Sequence, residues 1–565
     1  MNTLIRGTFR LLAAGALLAL AAGSSGAATI TIVNNDGPNE GFNDPAPAEP
    51  IGGNPGTTIG AQRLYVFQYA ADIWGALLHS PVQIRVNAQM NPQTCDETSG
   101  VLGSASAGSS ERNFPNAPHA DTWYQQALAN SLAGVDLNGA ADMNCTFNSS
   151  IGQPGCLPSG WYLGVDGNEG SAIELLPVVL HELGHGLGFA TITLAGVEMG
   201  VPPGPHVYDR FLLDLTQNMH WNEMTEPQRA ASAQNCQNVV WDGPNAAAHS
   251  ADFLGPKPLL RVNSPPTVAG DYEVGLPTFG PPLSDPGVTG DLVLVLDSAG
   301  LPNNGCEAPF LNAAEIAGNV ALIDRGGCTF VTKVKNAQDA GAIAVAIADS
   351  LPGCPPLGMG GSDPAITIPS VRLTLDDGNL IKSQLLSGVN VSLRLDPSQL
   401  AGADPAGRVL LYTPVPFAAG SSVSHWDTSP TPNFLMEPAL NADLSSGVDL
   451  TPHHFLDIGW TIPILAADEP ERTPGIGILG NFPNPFRAST LIRFSLEREE
   501  AVELDVYSVS GRLVQRLVHD RLPAGAHTAV WKGTDLSGRR AAAGIYLTRL
   551  KTARASETTR LVLLD

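Results

Sequence analysis

Charged side chains are scarce in this sequence. Asp, Glu, Lys and Arg make up 15% of its 565 residues, against about a quarter in ordinary soluble domains. What charge there is leans one way, with 54 acidic against 30 basic residues and a net charge of −24, which excludes nucleic acid or an anionic membrane as a partner. Long apolar runs are also missing. The run at Leu11–Ala22 falls short of the ~20 residues that a membrane span requires, and no later stretch reaches that length. Cysteines number only 7, enough to fit an oxidising compartment but odd, so one is left unpaired or intermolecular, and the connectivity is not readable. What is abundant is glycine (60) and proline (46) alongside 43% hydrophobic residues, the composition of a loop-rich, sheet-rich protein with real cores.

Arg6 and Arg10 before the apolar run, and the small residues 24–28 after it, predict a signal peptide over 1–27 and a mature protein that is secreted, without a transmembrane segment. The stretch SAIELLPVVLHELGHGLGFA, 171–190, carries the pattern hardest to read as mere packing. On a helix, His181 and His185 leave the same face one turn apart and can share one small cation. Zinc is the expected ion, with Glu182 placed beside the pair, where a carboxylate can act as general base on a metal-bound water without being a ligand. Ile173, Leu175, Leu176, Val178, Val179 and Leu183 make the remainder apolar, as in a helix buried through a domain. Gly184, Gly186 and Gly188 each cost a helix about 1 kcal/mol relative to alanine, so the helix is predicted to stop there, with Gly188 in the terminating turn. The competing reading is a buried helix with two core histidines and an incidental glutamate.

A catalytic zinc takes three protein ligands, so a third must be found. The metzincin pattern HExxHxxGxxH is followed through Gly188, but Thr191 stands where its last histidine would be. A glutamate on a following helix, Glu198 or Glu223, is one alternative; the other lies far downstream in GSSVSHWDTSPTPNFLMEPAL, 420–440. That segment together with HELGHGLGF resembles leishmanolysin-type metzincins, in which a long insertion precedes an SHW sequence and a methionine turn. The resemblance implies His425 as third ligand, Met436 as the methionine beneath the metal, and LDIGW at 456–460 as the end of the domain's closing helix. His453 and His454 are expected to be surface or packing residues.

Around this centre, residues 28–258 and 401–462 read as the two parts of the catalytic domain. A helix is predicted over 60–79, a strand at VQIRVNAQM, a helix over 122–134, a short buried helix at 207–215 with Asp209 and Arg210 as an ion pair, and an edge strand for peptide binding at 161–168. The acidic turn NNDGPNEGFNDP after the strand 29–34 has oxygens that suit Ca2+, with a plain loop as the other reading. Residues 259–400, with GNVALIDRGGCTFVTKVKNAQDAGAIAVAIADS, resemble a protease-associated (PA) domain: a strand, helix, strand unit with Cys306 and Cys328 as its expected disulfide. An acidic linker over 463–477 leads to 478–565, whose alternating strands resemble the Ig-like C-terminal domains of flagellar hook-cap or type IX sorting proteins. The expected fold class is thus α+β multidomain: a metzincin-like catalytic domain interrupted by an α/β PA domain and followed by an all-β sandwich.

These features imply a secreted zinc endopeptidase acting on protein or peptide substrates, with no propeptide expected. Residues 478–565 would serve secretion or cell-surface machinery. The alternative is a catalytically inert, zinc-stabilised surface binding protein.

Overall fold

Strict alternation of buried and half-exposed side chains along Ile84–Asn91 makes that strand the spine of the first sheet. A computed structural model of the protein describes residues 27–193, 204–441, 444, 447–461, 477–482, 490–496, 498–508, 511–522, 525–536, 538–542 and 544–563. The expected signal segment before residue 27, the linker up to residue 476 and Glu198 lie outside them. In the first sheet β1 (Ile30–Asn34), β2 (Ile84–Asn91) and β4 (Met143–Asn148) run parallel, and β3 (Gly103–Ala107) pairs antiparallel with β4 at the edge. Helix α1 (Ile59–Leu77), whose N-cap Thr58 accepts from Ala61 N, buries Phe67, Ala70 and Trp74 against this sheet and against α3 (Leu175–Leu187). Trp74 Nε1 donates to the Leu180 carbonyl at 3.0 Å, which fixes the two helices together. Helix α5 (Thr451–Ile458) joins the same core through Phe455 and Ile458, and Trp460 Nε1 donates to the Leu187 carbonyl at 2.8 Å.

Several predicted elements differ from those observed. The segment 122–134 opens with a strand, Trp123–Gln125, before α2 (Gln126–Ala133), because Trp123 and Tyr124 pair with Ser110–Arg112. The helix expected over 207–215 is a single turn of 3-10 helix, Tyr208–Arg210, followed by strand Leu212–Asp214 between Met219–His220 and Val239–Trp241. Asp209 and Arg210 are not paired with each other: the carboxylate accepts from Thr191, Thr193 and His206 N, while the guanidinium donates to Thr122. In the acidic turn, Asp36 accepts from Phe42 N and Met90 N, and Glu40 from Gly37 N. Those oxygens close a loop onto the chain, and the Ca2+ reading is set aside.

Pro256–Ser264 begins a seven-stranded sheet in the order Gly270–Glu273, Pro256–Ser264, Asn390–Leu400, Val288–Leu294, Val320–Asp324, Ala344–Ala348, Ser370–Leu373. Helix α4 (Phe330–Asp339) packs Val334 and Ala337 on one face, and a second apolar cluster with Leu260, Leu322 and Ile381 forms on the other. The disulfide Cys306–Cys328 lies within this unit, as expected; Cys236–Cys354 leaves it and ties it to the preceding domain. Cys95–Cys156 is the remaining bond, and Cys145, buried on β4, is the free thiol. At the C-terminal end, sheets of three and four strands enclose Trp531, Phe494, Leu504 and Leu561, an all-β sandwich. No helix among the described residues is long and apolar enough to cross a membrane.

Candidate metal centre

The helix α3 ends where its glycines predict: Gly188 adopts φ +135°, and a Cβ there would stand 2.5 Å from Ile458 Cδ1. Within the helix, His181 and His185 meet at Nε2 with 3.0 Å between them, and His425 reaches both, at 3.1 Å from His185 and 3.3 Å from His181. Among the described residues these three form the one group of side chains arranged to hold a metal ion.

Each imidazole is oriented from behind by a carbonyl: His181 Nδ1 by Leu435 at 2.6 Å, His185 Nδ1 by Phe189 at 2.7 Å, His425 Nδ1 by Ser421 at 2.9 Å. A carbonyl only accepts, so each Nδ1 carries the proton and each Nε2 lone pair points to the common centre. Burial, and the neighbouring rings in second place, depresses the His185 pKa to about 3 and holds His425 well below its ordinary value; burial lowers His181. Three converging neutral donors repel unless a cation lies between them, and nitrogen donors in this number suit zinc with one position left open. The donor chemistry therefore fits the expected ion.

Glu182 leaves the helix toward β3, where a Cβ on Gly103 would stand 3.2 Å from its Cγ, and it is hydrogen-bonded at the Ala105 backbone. Burial raises its pKa to about 8, partly opposed by that hydrogen bond. Met436 is fully buried in the turn Phe434–Glu437, with Trp426 N donating to its carbonyl at 2.9 Å. Glu223 is engaged elsewhere, accepting from His220 N. His453 stacks on His249 at 4.1 Å; His454 is fully buried between Phe189 at 4.2 Å and Trp241 at 4.0 Å. Both are packing residues.

The edge strand beside the helix is β3, and not the segment 161–168, where Trp161–Tyr162 makes only a two-residue parallel pair with Ile173–Glu174. Beside His185 opens a cavity of about 340 Å3, walled on one side by Ala105 to Ser110 and Gln125 and on the other by Ala190 to Thr193 and Phe417 to Ser424. None of its lining side chains is charged. Sequence reasoning missed β3 and this cavity, because GSASA lacks the branched and aromatic residues that mark strands.

Comparison with known proteins locates two modules. Residues 288–381 match the PA domain family and 487–556 the FlgD Ig-like domain family. Vacuolar-sorting receptor 2 of Arabidopsis thaliana is 30% identical over 168 residues, 28% of this chain and 27% of the receptor. The minor extracellular protease Vpr of Bacillus subtilis is 31% identical over 101 residues, 18% of this chain and 12% of the protease. The chain thus spans about a quarter of the length of the receptors it matches. Among solved structures, the aminopeptidase from Aneurinibacillus sp. strain AM-1 aligns at TM-score 0.20 and 25% identity, covering 26% of this chain and 32% of that one.

Proposed function

We propose that the chain is a secreted zinc endopeptidase of leishmanolysin-like type. The observation that carries this reading is the convergence of the His181, His185 and His425 Nε2 atoms beside a buried carboxylate that makes no bond to them. His181, His185 and His425 would hold the zinc, which when bound would supply a Lewis acid for the scissile carbonyl and a lowered pKa for water. Glu182, buried beside the centre and outside the ligand set, would take that water's proton and pass it to the leaving amine. The free edge of β3 offers backbone hydrogen bonds to an extended peptide, and the adjoining cavity takes one substrate side chain. A purely structural metal site has no use for a buried base next to an open position, which argues against the inert binding protein. Signal peptide, disulfides and a protease relative named as extracellular support export; the Ig-like module would engage secretion or cell-surface machinery.

The test is hydrolysis of casein and of a broad peptide library by the purified mature protein. Cleavage inside the chain, abolished by a zinc chelator and restored by zinc, is expected. A protein that binds zinc and cleaves no member of the library would overturn the enzyme reading.

A further inference from the structure

The segment from Leu411 to Trp426 is a hairpin. Leu411 bridges Trp426, Tyr412 N donates to the His425 carbonyl at 2.9 Å, and Val423 N donates to the Tyr412 carbonyl at 2.7 Å. Its tip gives Phe417, Gly420 and Ser422 to the cavity wall and presents the Ser421 carbonyl to His425 Nδ1. Apolar burial does little to hold that tip, since Val415 is 43% exposed and Phe417 37%. The base is held by the buried Val423, whose carbonyl accepts from Tyr208 Oη at 3.0 Å; beyond it, three hydrogen bonds from outside reach the tip. Thr413 Oγ1 donates to the Asn235 carbonyl at 3.1 Å, Phe417 N to Gln234 Oε1 at 3.3 Å, and Val415 N to the Cys354 carbonyl at 3.0 Å.

Two of these supports immediately precede Cys236, the third is Cys354, and the disulfide Cys236–Cys354 joins them across a sequence separation of 118. Cys354 belongs to the residues matched by the PA family. We infer that the PA domain is a positioning part of the cleft: through Cys354 it fixes the 413–422 tip and thereby sets which side chains the cavity accepts. The kinetic arm of this inference rests on the peptidase reading; the structural arm does not. Segments with exposed side chains open at free energies far below global unfolding, so a cross-link between the two supports is what keeps this wall closed. Excision of 259–400 would remove Cys354 and leave Val415 N without its acceptor, so that deletion is not a neutral one.

The test compares the full chain with its C236S/C354S variant by hydrogen exchange and by kcat/KM on peptides that differ only in the cavity-facing residue. Exchange at Val415 and Phe417 should rise about tenfold or more while α3 and Ala344–Ala348 keep their protection. Discrimination between large and small cavity residues should fall at least about fivefold, through KM rather than kcat, with zinc content unchanged. Were the variant not to fold, stepwise reduction of the folded wild-type protein, with the opened bond assigned by alkylation and mass spectrometry, gives the same comparison. A folded, bond-free protein whose exchange rises only at residues 236 and 354 themselves overturns the inference. If the wild-type protein cuts no peptide, the peptidase reading fails and the exchange result still decides this one.

Discussion

Gly184 and Met436 share one space. A Cβ on Gly184 would stand 2.7 Å from Met436 Sδ and 3.2 Å from its Cε, and Met436 is fully buried, so its tip has nowhere to swing. The glycine between the two helix histidines is thereby explained by packing: it lets a thioether lie directly against the helix that carries them. An alanine in an open helix position gains about 1 kcal/mol over glycine, whereas overpacking a core costs about 1–3 kcal/mol.

Gly184→Ala should accordingly destabilise the protein, by up to about 2 kcal/mol, in urea unfolding. In a Met436→Ala background the same change should become neutral or stabilising. A coupling below about 0.5 kcal/mol in this double-mutant cycle would show that the two residues do not constrain each other.

Glu182→Gln keeps the side chain's size and removes its ability to accept a proton at neutral pH. Turnover should drop by about a hundredfold or more with zinc content unchanged. Retained activity would take the base role away from Glu182.

The sequence gives some of this arrangement and hides the rest for identifiable reasons. His181, Glu182 and His185 are legible because a helix turns their spacing into one face, and the glycines announce its end. His425, 240 residues beyond His185, is legible only through the resemblance of SHW and NFLME to a known pattern, since nothing in local spacing links distant segments. The strand Leu212–Asp214 was hidden because a short apolar run reads equally as helix or strand. Cys236–Cys354 was hidden because pairing among seven cysteines is a tertiary fact.

His454 makes a prediction about acid. Burial among Phe189, Trp241 and Phe455 holds its pKa well below the ordinary value, and neither ring nitrogen has a hydrogen-bond partner among the described residues. The folded state keeps it neutral while the unfolded chain binds a proton below about pH 6.5, so its contribution to stability is present above that pH and is lost as the pH falls. Between pH 7 and pH 5 the wild-type protein should lose about 1–2 kcal/mol more than His454→Phe, whose ring suits the same aromatic stack. Parallel stability profiles for the two proteins would exclude His454 as a source of the acid slope.

The uncharged cavity wall predicts substrate choice. A Lys or Asp side chain entering it loses hydration without finding an opposite charge, a cost of several kcal/mol. Peptides with an uncharged residue at the cavity-facing position should be cut with kcat/KM at least about a hundredfold higher than their Lys or Asp counterparts. Equal cleavage would place the substrate side chain elsewhere.

In the proposed site His425 completes a zinc centre begun by His181 and His185. Its most direct test is the zinc content of the purified protein and of His425→Ala, each dialysed against the same buffered zinc concentration, with His453→Ala as control. One tightly held zinc per chain is expected in the wild-type protein and in His453→Ala, with loss of both zinc and peptide cleavage in a folded His425→Ala. A folded His425→Ala that keeps wild-type zinc stoichiometry and affinity would contradict it.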